Sequence, residues 1–139
     1  MKFYLESLGC PKNLVDAHGM TRLLVHLGHR PVEDLRRAQV LIVNTCGFVE
    51  DARAESLGEL RQLARKKRPG QVLIAAGCLA QLWGEDLMDR VPGIDAVLGT
   101  RRWHEIGSLV DELRGGQAGD RRRRERMALL GDSLPPAGD

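Results

Sequence analysis

At 139 residues and 42% hydrophobic, the chain has enough apolar material for one domain whose core needs no disulfide staples. Its net charge of +2 argues against a basic nucleic-acid face: the one cluster, Arg121 to Arg124 with Arg126, is nearly offset by Asp120, Glu125, Asp132 and Asp139 and reads as a solvated tail. A charge, a glycine and a proline follow Met1 before any long apolar run, so neither a signal peptide nor a membrane span is expected, and the cytoplasm is the expected compartment.

In chain order, residues 2–8 predict a strand that runs into Gly9-Cys10-Pro11-Lys12-Asn13. Pro11 holds Cys10 extended, and Asn13, with Asp16 three places on, predicts a helix cap. Leu14, Ala17, Met20, Thr21, Leu24 and Leu27 give this helix an apolar stripe, and Gly28 suits the left-handed residue that ends it. Gly19 weakens its central turns. Residues 29–33 are short, polar and carry Pro31, the pattern of an edge strand, and Asp34 opens a brief helical turn through Arg37.

Val40-Leu41-Ile42-Val43 is a continuous apolar run, the mark of a strand buried on both faces, and it ends at Cys46-Gly47. Residues 50–67 then predict a helix with acidic residues at its start and basic ones at its end, matching the helix dipole, and Pro69-Gly70 stops it. The next apolar strand, residues 72–76, reaches Gly77-Cys78. A helix over 79–90 follows, broken or slowed by Gly84, and Pro92-Gly93 turns the chain. Residues 94–100 are a final strand and 103–113 a final amphipathic helix carrying Trp103, Ile106, Leu109, Val110 and Leu113. Residues 117–139, rich in Arg, Gly and Pro, read as a linker with one nascent turn near 127–130.

This alternation predicts an α/β fold: a flavodoxin-like, five-stranded parallel sheet of order 2-1-3-4-5 with helices on both faces. Ligands of such sheets gather outside the carboxyl ends of the strands. Cys10, Cys46 and Cys78, the chain's three cysteines, follow strands one, three and four. Those strands are neighbours in the expected order, spaced about 4.8 Å apart. Their loops can therefore deliver three thiolates to one point. An odd cysteine count in a reducing compartment argues for metal or redox chemistry over disulfides, and no Cys-x2-Cys suggests a dithiol oxidoreductase.

Three thiolates suit a soft metal centre. A cubane of four irons and four sulfides held this way leaves one iron open to a sulfur species. Zinc, with His18 completing a Cys3His set, is the rival occupant. Buried small hydrophobes are the plain structural alternative, disfavoured by the equivalent placement of all three. A non-catalytic, zinc-stabilised or receiver-like interaction module is the competing functional class, although cysteines stand where a receiver needs acids. His26, His29 and His104 read as solvent-facing or packing residues, and Trp83 and Trp103 as helix-to-sheet packing.

Gly9-Cys10-Pro11-Lys12-Asn13-Leu14-Val15-Asp16, Asn44-Thr45-Cys46-Gly47-Phe48, Gly77-Cys78-Leu79-Ala80-Gln81 and Val97-Leu98-Gly99-Thr100 together resemble the amino-terminal domain of the radical S-adenosylmethionine methylthiotransferases. The Cys-Pro-Lys-Asn form is similar to the branch that modifies an aspartate of ribosomal protein S12; the branch that modifies tRNA adenosine is the alternative. The resemblance implies that Cys10, Cys46 and Cys78 ligate an auxiliary 4Fe-4S cluster whose open iron carries the sulfur to be transferred. It places Asn13, Asn44 and Thr45 beside the ligands, to bond cluster sulfides or to fix the loops. Ala17 and His18 stand where the family has serine and glutamate, and Leu82 and Trp83 where it has arginine and tyrosine. The chain has no Cys-x3-Cys-x2-Cys motif for a second cluster that cleaves S-adenosylmethionine. Residues 1–116 are therefore expected to be the cluster-binding domain of a longer cytoplasmic enzyme, inactive alone, and 117–139 the linker toward its radical domain. The expected partners are that domain and ribosomal protein S12, with no membrane and no strong nucleic-acid signal in this piece.

Overall fold

The computed structural model describes residues 1–9, 11–47, 49–115 and 128–129. In order these form β1 (Lys2–Ser7), α1 (Pro11–His26), β2 (Arg30–Pro31), β3 (Val40–Thr45), α2 (Glu50–Lys66), β4 (Val72–Gly77), α3 (Cys78–Trp83), α4 (Glu85–Arg90), β5 (Ala96–Leu98), α5 (Ile106–Gly115) and β6 (Ala128–Leu129). Short 3-10 turns occupy Leu35–Arg37 and Thr100–Glu105. Among the described residues no helix is long and apolar enough to cross a membrane.

All strand pairs are parallel, in the order β2-β1-β3-β4-β5-β6. The expected 2-1-3-4-5 order is present, with one addition. Within the stretch that composition marks as a linker with a nascent turn near 127–130, Ala128 and Leu129 pair with Val97 and Leu98 as a sixth strand. The free side of β5 otherwise carries unpaired backbone groups, and two extended residues suffice to bond some of them. A dipeptide is too short to carry any periodicity. The remainder of 116–139 lies outside the described residues.

β3 sits at the middle of the core because all six of its residues are buried. Successive side chains of a strand point to opposite faces, so its unbroken apolar run serves two layers. Val40 and Ile42 pack with Met20 and Leu24 of α1 and Ile106, Leu109 and Val110 of α5. Leu41 and Val43 pack with Leu60 and Leu63 of α2, Leu79 of α3 and Leu87 and Met88 of α4. Each such buried side chain contributes roughly 1.5–3 kcal/mol of transfer free energy.

The stripe of α1 is narrower than its sequence suggests. Ala17, Met20 and Leu24 are buried, but Leu14 and Leu27 are half-exposed. Helix α1 nevertheless runs unbroken through Gly19, and the indole of Trp103 accounts for the glycine: a Cβ on Gly19 would fall 2.8 Å from a ring carbon. Gly28 takes a positive φ of 95° after the helix, and Gly84, at φ 55°, separates α3 from α4.

On β1, Glu6 shares the α2 side of the sheet with Tyr4, and its Oε2 is buried without a hydrogen-bond partner. Burial, followed by the carboxyl of Glu59 and the charge of Glu55, pushes the Glu6 pKa up to about 7. A carboxyl whose folded pKa exceeds its unfolded one favours the fold fully at low pH and loses that contribution as pH rises through the folded value. Glu6→Gln is therefore expected to leave stability near pH 4 almost unchanged and to raise it at pH 8. The gain should be on the order of 1–2 kcal/mol, reduced from the full shift by partial solvent screening. Urea unfolding at the two pH values measures it, and equal effects at both would refute the assignment.

Candidate metal centre at the carboxyl edge of the sheet

The register of the central strands decides what meets at this edge. β3 and β4 pair as far as Thr45 with Gly77, so Cys46 and Cys78 leave neighbouring strands at the same level. β1 pairs with β3 as far as Ser7 with Asn44, and the Leu8 N–H donates to the Asn44 carbonyl at 3.0 Å. Gly9, at φ 89°, is thereby pressed against Cys46: a Cβ there would lie 2.7 Å from the Cys46 Sγ. Cys10 itself lies outside the described residues. The edge thus joins Cys46, Cys78 and the backbone immediately before Cys10.

Cys46 is 4% exposed, and Cys78, the first residue of α3, is partly buried. A single hydroxyl holds the main chain of Cys46 on both sides. The Cys46 N–H donates to Ser56 Oγ at 3.0 Å, and Ser56 Oγ donates to the Cys46 carbonyl at 3.0 Å. Ser56 is fully buried on α2 and is not among the residues that the motifs single out. A signal for it exists, since Ser56, Leu60 and Leu63 share helical spacing, and a serine in an apolar stripe must find a partner inside.

Asn13 is a second node, with no solvent exposure. The helix begins at Pro11, so Asn13 lies inside the first turn instead of capping it, and its amide faces the sheet. Nδ2 donates to the Leu8 carbonyl at 2.8 Å and the Thr45 carbonyl at 2.6 Å, joining the ends of β1 and β3. Oδ1 lies 3.8 Å from Cys78 Sγ, placed to accept from a thiol. Asn44 Nδ2 donates to the Asn13 carbonyl at 2.6 Å, and Thr45 Oγ1 donates to the Ala76 carbonyl at 2.6 Å. These bonds tie together the segments that carry the cysteines.

Asn13→Ala leaves the partly buried Leu8 carbonyl and the buried Thr45 carbonyl without this donor and is expected to cost about 2–3 kcal/mol. Asn13→Asp, which has no N–H to offer, should not restore the loss. Denaturant unfolding reads both, and an alanine variant as stable as the parent would remove Asn13 from this role.

The histidines are spread elsewhere. His18, His26 and His104 are exposed, whereas His29 is buried, with its Nδ1 3.2 Å from the terminal ammonium. Among the described residues no three His, Cys, Asp or Glu side chains gather as a metal-ligand set. Two soft sulfur donors leave the sheet at one level, with Gly9 packed against one of them, and that donor chemistry suits a thiolate-bound centre. The close approach of Gly9 to Cys46 leaves no room there for a larger residue.

A family model described as uncharacterized protein family UPF0004 matches residues 2–99. The chain is 52% identical over 113 residues to the ribosomal protein uS12 methylthiotransferase RimO of Chloroflexus aurantiacus, a match covering 81% of this chain and 25% of that protein. It is 45% identical to RimO of Herpetosiphon aurantiacus, with 99% of this chain and 29% of the relative covered. With RimO of Roseiflexus sp. the identity is 44%, over 100% of this chain and 29% of the relative. The chain thus spans less than a third of the length of these relatives.

Proposed function

The chain belongs to the UPF0004 family as the counterpart of the amino-terminal domain of RimO, and on that premise we propose that it holds the auxiliary 4Fe-4S cluster of an enzyme that methylthiolates an aspartate of ribosomal protein S12. Cys10, Cys46 and Cys78 are the proposed ligands. The observation that carries the reading is the register of β3 and β4, which starts Cys46 and Cys78 from one level while Gly9 packs on Cys46. When bound, a cluster held by three cysteines supplies one iron free of protein ligands, a place for the sulfur to be transferred.

The chain's own residues prepare that site. Ser56 fixes the peptide groups flanking the Cys46 side chain, so the Cα–Cβ direction of Cys46 is set by the protein itself. The amide hydrogens of Asn13 and the hydroxyl hydrogen of Thr45 are spent on main-chain carbonyls. This supports loop fixing, and not donation to sulfide, as the service of Asn13 and Thr45, while Asn44 gives one amide hydrogen to the Asn13 carbonyl. Preorganisation of this kind lowers the ordering cost of binding. In this reading S-adenosylmethionine and a second 4Fe-4S cluster belong to the radical domain of the longer enzyme, which residues beyond 116 connect to this one.

Anaerobic reconstitution with iron and sulfide tests the proposal. Uptake of about four irons per chain with cluster absorption is expected. One zinc per chain without iron uptake would overturn it in favour of a zinc-stabilised module.

A further inference from the structure

Arg53, near the start of α2, has a buried Nε with no hydrogen-bond partner. Its Nη2 reaches the carbonyl of Gly47, the residue directly after Cys46, at 3.4 Å. Its guanidinium carbon lies 6.0 Å from the ring centroid of Trp83, the last residue of the helix that Cys78 begins. The cation is therefore set between the loop that follows Cys46 and the helix that carries Cys78. Arg53 takes no part in the ion pairs of Arg36 with Asp34, Lys67 with Asp95 or Arg102 with Glu105. Stacking alone does not explain it, since Arg90 lies 4.1 Å from the same ring centroid.

A partly buried guanidinium cannot shed its charge, and an orphaned donor costs free energy until an acceptor reaches it. Glu6, whose Oε2 is likewise buried without a partner, is acted on by Glu59 and Glu55 and by no guanidinium, so it does not answer Arg53. An anionic acceptor brought to this edge from outside the polypeptide's own carboxylates would satisfy both the charge and the open donor. Sulfur anions meet that description: thiolates and inorganic sulfides accept hydrogen bonds and carry net negative charge. Building on the cluster reading above, we propose that Arg53 is the countercharge and hydrogen-bond donor to the sulfur atoms of the centre held by Cys10, Cys46 and Cys78. The assignment makes Arg53 a positioning and tuning residue. One-electron reduction adds a negative charge, so a fixed cation beside the sulfurs favours the reduced form and raises the reduction potential.

The test uses the chain reconstituted anaerobically with iron and sulfide, as wild type, Arg53→Gln, Arg53→Lys and Arg90→Gln. Reduction potential is read by EPR-monitored titration and iron loss by release to a chelator. Arg53→Gln is expected to move the potential negative and to release iron roughly tenfold faster, the loss of one charge-assisted hydrogen bond. Arg53→Lys, which keeps the charge, should recover most of the potential, and Arg90→Gln should match wild type. Glutamine and lysine variants shifted equally, or a glutamine variant that is merely less heat-stable at unchanged potential, would overturn the proposal and leave a packing role. A substrate-binding role would show as unchanged potential and iron release, and would overturn it equally. Wild-type chain that takes up no iron would bring down the cluster reading itself, and this inference with it.

Discussion

Cys46→Ala is expected to reduce the iron content of the reconstituted chain from about four per chain to almost none, with the sheet still folded. The substitution removes only Sγ. The main chain keeps both bonds to Ser56, and the methyl group still fills part of the space against Gly9. Loss of a small buried group of this size costs about 1 kcal/mol, too little to unfold a domain of ordinary stability. Two remaining cysteines, however, cannot satisfy a cluster that needs at least three protein sulfurs to stay bound. Cys78→Ala should behave alike, and so should Cys10→Ala. Iron analysis beside circular dichroism separates the two effects. A Cys46→Ala chain that retains its iron would show that Cys46 is not a ligand, whatever its neighbours do.

Gly77→Ala should produce the largest loss of stability among single substitutions at this edge, about 3–5 kcal/mol. Gly77 sits at φ 93° and ψ −159°, a region nearly closed to residues with a side chain. Even with that strain tolerated, the new methyl group would lie 2.5 Å from the Thr45 carbonyl oxygen, 2.6 Å from Asn44 Oδ1 and 2.9 Å from the Thr45 nitrogen. Two of those atoms are backbone of the central strand, which cannot move without breaking its pairing with β4. Gly28 supplies the comparison. It has a similar φ of 95°, yet a Cβ added there would meet nothing within 4 Å, so Gly28→Ala should cost only the backbone term, about 1 kcal/mol. Urea unfolding of the pair measures the difference, and equal losses would mean that the steric contact with β3 does not matter.

The two nodes of the candidate site differ in how legible they are in the chain. The serine at position 56 can be found there, because a hydroxyl at core spacing on an otherwise amphipathic helix requires an internal partner. Asn13 misleads for a physical reason: asparagine two residues after a proline satisfies the local rules for a cap, and only the proximity of the β3 end turns its amide toward Leu8 and Thr45. Arg53 gives no signal at all. An arginine in a charged helix is ordinary until Gly47 and Trp83 are brought to either side of it.

The amino-acid sequence alone determined the features whose causes are local. The four apolar residues from Val40 to Val43 demand burial on two faces, acidic and basic ends delimit α2, Gly28 and Gly84 punctuate helices, and each cysteine closely follows an apolar run. Periodicity and backbone preference act over a few residues and are written in the chain. Tertiary structure alone decided which groups face one another at the carboxyl edge: Asn13 on the ends of β1 and β3, Ser56 around Cys46, Gly77 beneath Asn44, and β6 beside β5. Those meetings depend on strand register, set by the packing of both faces at once, and a shift of one residue would exchange every partner.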